Sequence, residues 1–422
     1  FKRFTHLTLF IILAAIGAVM GFFININKFS FHSIYRERLI RAYLGASRTK
    51  KRLFTANSFT GLDSENDNVE MKCLKQKPFH VVNMTLNLVK THNLRWQNRK
   101  AESFTATSLF CGSSNMGDGS GNYRSSENFG LNAQNGKAIT LGTAAAISGA
   151  AASPNMGYYT MSSAVSFLMV LFNVRLGWWL GNPGRRGEKT YGSDTAFYEK
   201  LYIQILTKLG LNKTYDQPAP RWSPRLFLDE SIGGTDDSKP YVYLSDGGHF
   251  DNLGLYEMVL RRCHLIVVSD AGCDADFSFS DFGKSIHKIR VDMGIPIEFE
   301  MEKSPQKTRN CGIGKIKYSC VDGGDSEDGI LIYIKPTLDG DEPIDLKNYK
   351  RENPAFPHES TADQMYSETQ FESYRSLGLH QIESISCRQK ECCCRNLSHL
   401  ERNAERYLRT FTNKEKRKKR RV

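Results

Sequence analysis

Two aspartates each close a short apolar run of this 422-residue chain: Asp246 follows YVYL and Asp270 follows LIVV. The carboxyl ends of strands are where open α/β sheets bind their ligands. A carboxylate held there becomes a general base when burial lifts its pKa. Asp246 is set apart by Gly247 and Gly248, which let the backbone turn sharply and approach a substrate closely. The plain alternative for either residue is a turn in which the side chain bonds its own backbone two residues on.

A base needs a group to activate, and the sequence offers few. No G-x-S-x-G elbow occurs, and no Gly-Gly-Gly run precedes the strands. Ser148 and Ser153 lie in a small-residue segment without a strand-to-helix elbow, so both read as packing residues. His249 is too close to Asp246 on one turn to face it. The thiols Cys387, Cys392, Cys393 and Cys394 include three in succession, which cannot all wrap one tetrahedral zinc. Gly117, Gly119 and Gly121 are followed by no Lys-Ser/Thr, so they do not form a phosphate cradle. A second Asp-Gly-Gly at 322–324 reads as a plain turn. No metal and no cofactor is expected.

These residues need elements to hold them. Residues 240–272 read as strand, turn, helix, strand, a βαβ unit whose crossover predicts a parallel sheet. Two more strands are expected between 78 and 110, a Gly/Ser/Asn loop over 112–136, and a close-packing helix over 142–157, stopped by Pro154. The apolar stretch 161–180 is interrupted by Asn173 and Arg175 and reads as a buried or interfacial helix. Residues 183–240 read as an irregular excursion with one helix around 194–209. Leu7 to Ile24 is uncharged and, at about 1.5 Å per residue, just long enough to cross a bilayer. It is longer than the apolar core of a signal peptide and lacks a cleavage site.

The formal charge of +12 is unevenly placed. Residues 387–422 hold 13 Lys and Arg against 4 Asp and Glu, and residues 28–52 hold 8 against 1. The body between them is mildly acidic. A nucleic-acid-binding domain carries its basic footprint on folded structure, so no specific nucleic acid is expected, and the tail run NKEKRKKRR reads as a solvated tail, a localisation signal or an anionic-lipid contact. The basic segment after the span predicts a body on the cytoplasmic side of the membrane. Ten cysteines without a CxxC pair agree with a reducing compartment.

The stretch SDGGHFDNLG (245–254) resembles the D-G-[GA] motif of patatin-like phospholipases, with Asp246 and, six residues on, Asn252. AISGAAASPNMG (146–157) is similar to that family's small-residue segment, in the expected order. FPHESTADQMYSETQFESYRSLG (356–378) resembles its long, membrane-segment-containing members. The resemblance covers roughly residues 28–380 and implies an α/β fold with a mainly parallel sheet flanked by helices. It also implies a Ser-Asp dyad that cleaves a lipid ester, with Asp246 taking the serine proton on a turn made by Gly247, Gly248 and Asn252. The serine elbow is expected before residue 1, which makes this chain a C-terminal portion.

The expected organisation is a transmembrane segment at 1–27, a basic juxtamembrane linker at 28–77, the hydrolase domain at 78–345, an extension packing on it at 346–386, and a Cys-containing basic tail at 387–422. The expected partners are a lipid ester and the bilayer, and Trp178-Trp179 reads as an interfacial pair. The rival expectation is a non-catalytic membrane scaffold that keeps the fold and lacks the nucleophile.

Overall fold

The computed structural model describes residues 2–386, apart from 64–65, 76, 92, 95, 117–121, 132–135, 185–213, 221, 301–310, 361 and 364, together with residue 402. The glycines 117, 119 and 121, the helix around 194–209 and the 387–394 cysteine cluster therefore lie outside the described residues, as does the 413–421 tail. The chain divides into two compact units, Phe1–Asn252 and Leu253–Val422.

The first unit begins with α1 (Lys2–Phe23). Its His6–Phe23 window is the one described stretch long and apolar enough to cross a membrane, and almost none of it is covered by the rest of the protein. The basic segment that follows is helical, with α2 (Phe31–Leu39), a wide π turn (Ile40–Gly45) and α3 (Thr49–Thr55).

Six strands then form one sheet: β1 (Val81–Asn87), β2 (Ala101–Thr107), β3 (Phe110–Gly112), β4 (Tyr123–Ser125), β5 (Trp178–Gly181) and β6 (Tyr241–Ser245), in the order β4-β3-β2-β1-β6-β5. Every pairing is antiparallel. Alternation along β1 gives the sheet two characters. Val82, Met84 and Leu86 join Phe104, Ala106, Val242 and Leu244 in the main core, whereas Thr85 and Asn87 put buried polar groups on the other face.

The small-residue helix is α4 (Leu141–Ser148). Thr140 caps its start by accepting the Thr143 N–H at 3.3 Å, and it ends at Gly149, ahead of Pro154. Its small residues permit close packing. A Cβ on Gly142 would come within 2.4 Å of Ile40, and one on Gly149 within 2.5 Å of the Tyr35 hydroxyl.

The 161–180 stretch is not one helix. α5 (Ser163–Leu171) ends where Asn173 takes a left-handed φ of 57°, a conformation Asn tolerates better than most residues. The chain then enters β5. Trp178 and Trp179 are consequently strand residues, buried rather than interfacial. Trp178 lies against His32 with ring centroids 4.4 Å apart, and Trp179 lies 5.1 Å from Tyr243. α6 (Pro224–Ser231) starts with proline in its first turn and closes this unit's helices.

The second unit holds α7 (Leu255–Leu260), β7 (Leu265–Ser269), α8 (Ser280–Met293), β8 (Ile297–Glu300), β9 (Cys311–Ile316), α9 (Ser319–Asp322), β10 (Gly329–Ile334), α10 (Ile344–Glu352) and α11 (Glu368–Ser386). Its sheet runs β7-β10-β9-β8, with β7 and β10 parallel and the other pairs antiparallel. Ile330, Ile332 and Ile334 form its sheet core, and Leu346, Tyr349, Phe356 and Leu377 form a smaller one between helices. Gln381 of α11 ties to the exit of β10 by donating to the Thr337 carbonyl at 3.1 Å.

The protein is thus mixed α/β, but the expected βαβ crossover and mainly parallel sheet are not what the described residues form. β6 has β1 on one side and β5 on the other, both antiparallel, so it offers β7 no edge. β7 finds a parallel partner in β10 instead. The local elements of 240–272 are all present; their pairing is different.

Candidate functional site

Asp246 leaves β6 at its carboxyl end and caps a single 3-10 turn, Gly247–His249. Its Oδ1 accepts the Gly248 N–H at 2.6 Å. The polar face of the sheet holds this turn in place. Thr85 Oγ1 donates to the Gly247 carbonyl at 3.2 Å, and Asn87 Nδ2 donates to Ser245 Oγ at 2.9 Å. The Asn87 Oδ1 accepts the Gly157 N–H at 2.8 Å, which fixes the segment after α4 to the same strand.

Both glycines are required by close approach rather than by φ, since neither has a positive φ. A Cβ on Gly247 would sit 2.8 Å from the Asn83 carbonyl oxygen. One on Gly248 would sit 2.7 Å from Asn252 Oδ1 and 3.0 Å from Asp246 Oδ1. The four residues expected to form the site, Asp246, Gly247, Gly248 and Asn252, are therefore one local cluster.

The two aspartates differ in what they do with their second oxygen. Asp270 makes the same turn, its Oδ1 accepting the Gly272 N–H at 2.9 Å. Its Oδ2 then receives the Tyr333 hydroxyl and the Lys335 ammonium, the latter at 3.2 Å, and Lys335 is fully buried. That carboxylate is committed to structure. Asp246 has no cationic partner among the described residues. Burial raises its pKa, and the Gly248 N–H only partly offsets this. A carboxylate that is half-buried, unpaired and raised toward neutrality has the properties of a general base.

Three further side chains gather around the turn. Ser148, the last residue of α4, has its Oγ 3.6 Å from where a Gly247 Cβ would stand. A helix C-terminus carries partial negative charge and disfavours an alkoxide there, so this placement does not activate Ser148 as a nucleophile. Tyr35 of α2 reaches Gly149, and its hydroxyl is held protonated by burial and by the nearby charge of Asp246. His249 turns away from Asp246. Its Nδ1 bonds Ser245 Oγ at 2.9 Å and the ring also bonds the Ala151 carbonyl, while burial brings its pKa down to about 4.

The remaining sequence candidates are structural. Ser153 is fully buried and donates to the Ala150 carbonyl at 3.2 Å. Asp322 ends α9 and pairs with Arg262. Among the described residues no group of three His, Cys, Asp or Glu side chains comes together as a metal site. Tyr35 had no local signal in the sequence, because it lies more than two hundred positions from the aspartate it faces.

Compared with known proteins, the chain matches no family model, no curated protein and no solved structure.

Proposed function

We propose that this chain carries the aspartate half of a Ser-Asp dyad in a membrane-anchored lipid acyl hydrolase of patatin-like type. The observation that carries the reading is the contrast between the two strand-end carboxylates. Asp270 is consumed by a buried lysine, whereas Asp246 is left unpaired, raised in pKa and partly open to solvent on a Gly-Gly turn. In this reading Asp246 takes the proton of a serine hydroxyl as that oxygen attacks the ester carbonyl, and later returns it to the departing alcohol. Tyr35 stays protonated beside it, so it does not compete for that proton.

The nucleophile is not supplied by a G-x-S-x-G elbow within these 422 residues, so the reading assigns it to sequence outside them. The apolar helix α1 anchors the enzyme, and the basic stretch 28–52 puts the two units on the cytoplasmic face. The test expresses the open reading frame that contains this chain and follows release of fatty acid from phospholipid and lysophospholipid vesicles. Loss of a general base costs on the order of 10²–10⁴ in turnover, and that is the loss expected for Asp246→Asn. Wild-type turnover in that variant removes the proposed role. Absence of any ester hydrolysis by a folded protein favours the scaffold reading, for which the missing elbow is the specific support.

A further inference from the structure

α5 buries the wrong residue for a helix of a water-soluble surface. Its sequence, SAVSFLMVL, is apolar apart from two serines, yet Ser166 is its one buried residue, bonded through Oγ to the Pro154 carbonyl at 2.7 Å. Phe167, Leu168 and Leu171 point outward at about half their full exposure or more, and Phe172 beyond them is 70% exposed. A surface helix normally turns its apolar stripe inward. This one is inverted, which lowers free energy only where the surroundings are apolar.

The neighbouring surfaces have the same character. No charged side chain occurs between Lys137 and Arg175. α6 packs against α5 and exposes Leu228, with Ile232 exposed at the cap just after the helix. The start of α6 also packs against the end of α1. Trp222 donates its indole N–H to the Ala18 carbonyl at 3.3 Å and lies 6.2 Å from the Phe22 ring, and Ser223 Oγ donates to the Ile24 carbonyl at 2.6 Å. Contacts therefore link the exposed apolar residues from the last turns of α1 through α6 to α5, with Arg225 the one exposed charge on α6. At its far side the Tyr158–Tyr159 turn is exposed, with the Tyr159 ring 6.5 Å from His249 on the turn that begins at Asp246. At nine residues and about 1.5 Å each, α5 is roughly 13 Å long, too short to cross a bilayer and suited to lying in one leaflet.

We propose that α5, the outer side of α6 and the Tyr158–Tyr159 turn form a monotopic patch immersed in the acyl region of the leaflet next to the end of α1. The patch holds the first unit against the membrane by a second attachment, and brings the Asp246 turn to the lipid boundary. It rests on the reading of α1 as a membrane span, and the experiment separates the two.

The full chain is reconstituted in phosphatidylcholine vesicles containing an anionic lipid, photolabelled with an acyl-chain-soluble carbene precursor, and mapped by peptide mass analysis. Label is expected on both 6–23 and 158–172, with α10 and β10 unlabelled. In Phe167→Glu/Leu171→Glu, label on 158–172 is expected to fall several-fold while label on 6–23 stays. Both substituted side chains are exposed, so the variant is expected to fold, and an unchanged melting profile in detergent verifies this. Label on 6–23 alone overturns the patch and leaves the span. Label on neither overturns both. Cross-linking of Leu171 positions between two copies, with 158–172 unlabelled at every lipid-to-protein ratio, assigns the surface to a second copy and also overturns the patch.

Discussion

Arg175 and Glu230 form an ion pair sealed from solvent, with the Arg175 Nη1 at 2.9 Å and 3.1 Å from the two carboxylate oxygens. The arginine that breaks the apolar run at 161–180 is thus an internal strut. Its Nη2 donates to the carbonyls of Ile26 at 3.0 Å and Phe29 at 2.8 Å, just beyond α1, while Trp179 donates its indole N–H to Glu230 Oε1 at 2.6 Å. One guanidinium therefore joins the end of the apolar helix to β5 and α6.

Removing one partner of this pair leaves the other charge buried alone, which costs about 3–5 kcal/mol. Arg175→Met is therefore expected to lower the melting temperature sharply. Arg175→Met/Glu230→Met is expected to recover a good part of the loss, because two apolar side chains replace two charges. Thermal unfolding of the three variants in detergent checks this. A double variant no more stable than Arg175→Met contradicts it.

The Asp246 turn makes a second prediction through its glycines. Gly247 faces the backbone of Asn83, which cannot yield without shifting β1, whereas Gly248 faces the Asn252 side chain, which can rotate. Gly247→Ala is expected to destabilise by about 1–3 kcal/mol. Gly248→Ala is expected to cost less and to act mainly by displacing the Asp246 carboxylate. Equal melting temperatures for the two variants would sink this ordering.

Much of the local structure was legible. The runs that became β1, β2, β6 and β7 announce themselves by apolar content, and Asp246-Gly247-Gly248 announces a turn. The pairing of those strands was not legible, because β6 and β7 are short apolar runs of one kind whether they share a sheet or not. Only the edges already taken by β1 and β5 decide the matter. Trp178 and Trp179 misled for a related reason, since an aromatic pair suits a membrane boundary and a strand core equally well. The position of Tyr35 beside the turn depends on Gly149 leaving room for its hydroxyl, a long-range relation with no period in the sequence. Arg175 read as an interruption because a single charge in an apolar run does not reveal that Glu230 will meet it.

Two buried histidines set an acid limit on stability. His32 directs Nδ1 at the Leu176 carbonyl 2.5 Å away, and its Nε2 is buried with no partner among the described residues; burial brings its pKa from 6.5 down to about 4. His249 is lowered to about 4 as well, again mainly by burial. The unfolded chain takes up these protons near pH 6.5 and the folded chain only near 4, so the unfolded state binds more protons between those values. Stability is full above about pH 6.5 and declines as the pH falls toward 4, by up to about 1.4 kcal/mol per pH unit for each ring. Melting temperatures across that range are expected to fall, and His32→Asn is expected to make the fall shallower. A flat profile for the wild-type chain contradicts the neutral, buried state of both rings.

The two strand-end aspartates predict opposite effects of one substitution. Asp246 has a raised pKa, so at neutral pH its ionised form is less favourable in the folded chain than in the unfolded one. Its contribution to stability is largest at low pH and is lost as the pH rises through the folded-state value. Replacing it by asparagine removes that penalty and keeps a side-chain oxygen for the Gly248 N–H, so Asp246→Asn is expected to raise the melting temperature at pH 7. Asp270→Asn does the reverse. It leaves the Lys335 ammonium, which is 3.2 Å from Asp270 and 3.4 Å from Asp274, with one buried counter-charge fewer. Its cost is expected to approach the roughly 3–5 kcal/mol of a broken buried pair. A residue whose removal stabilises the fold is kept for another reason, and that is the mark of a working group rather than a structural one. If Asp246→Asn melts below the wild-type chain at pH 7, the carboxylate is serving the fold and its proposed role as a base loses its physical support.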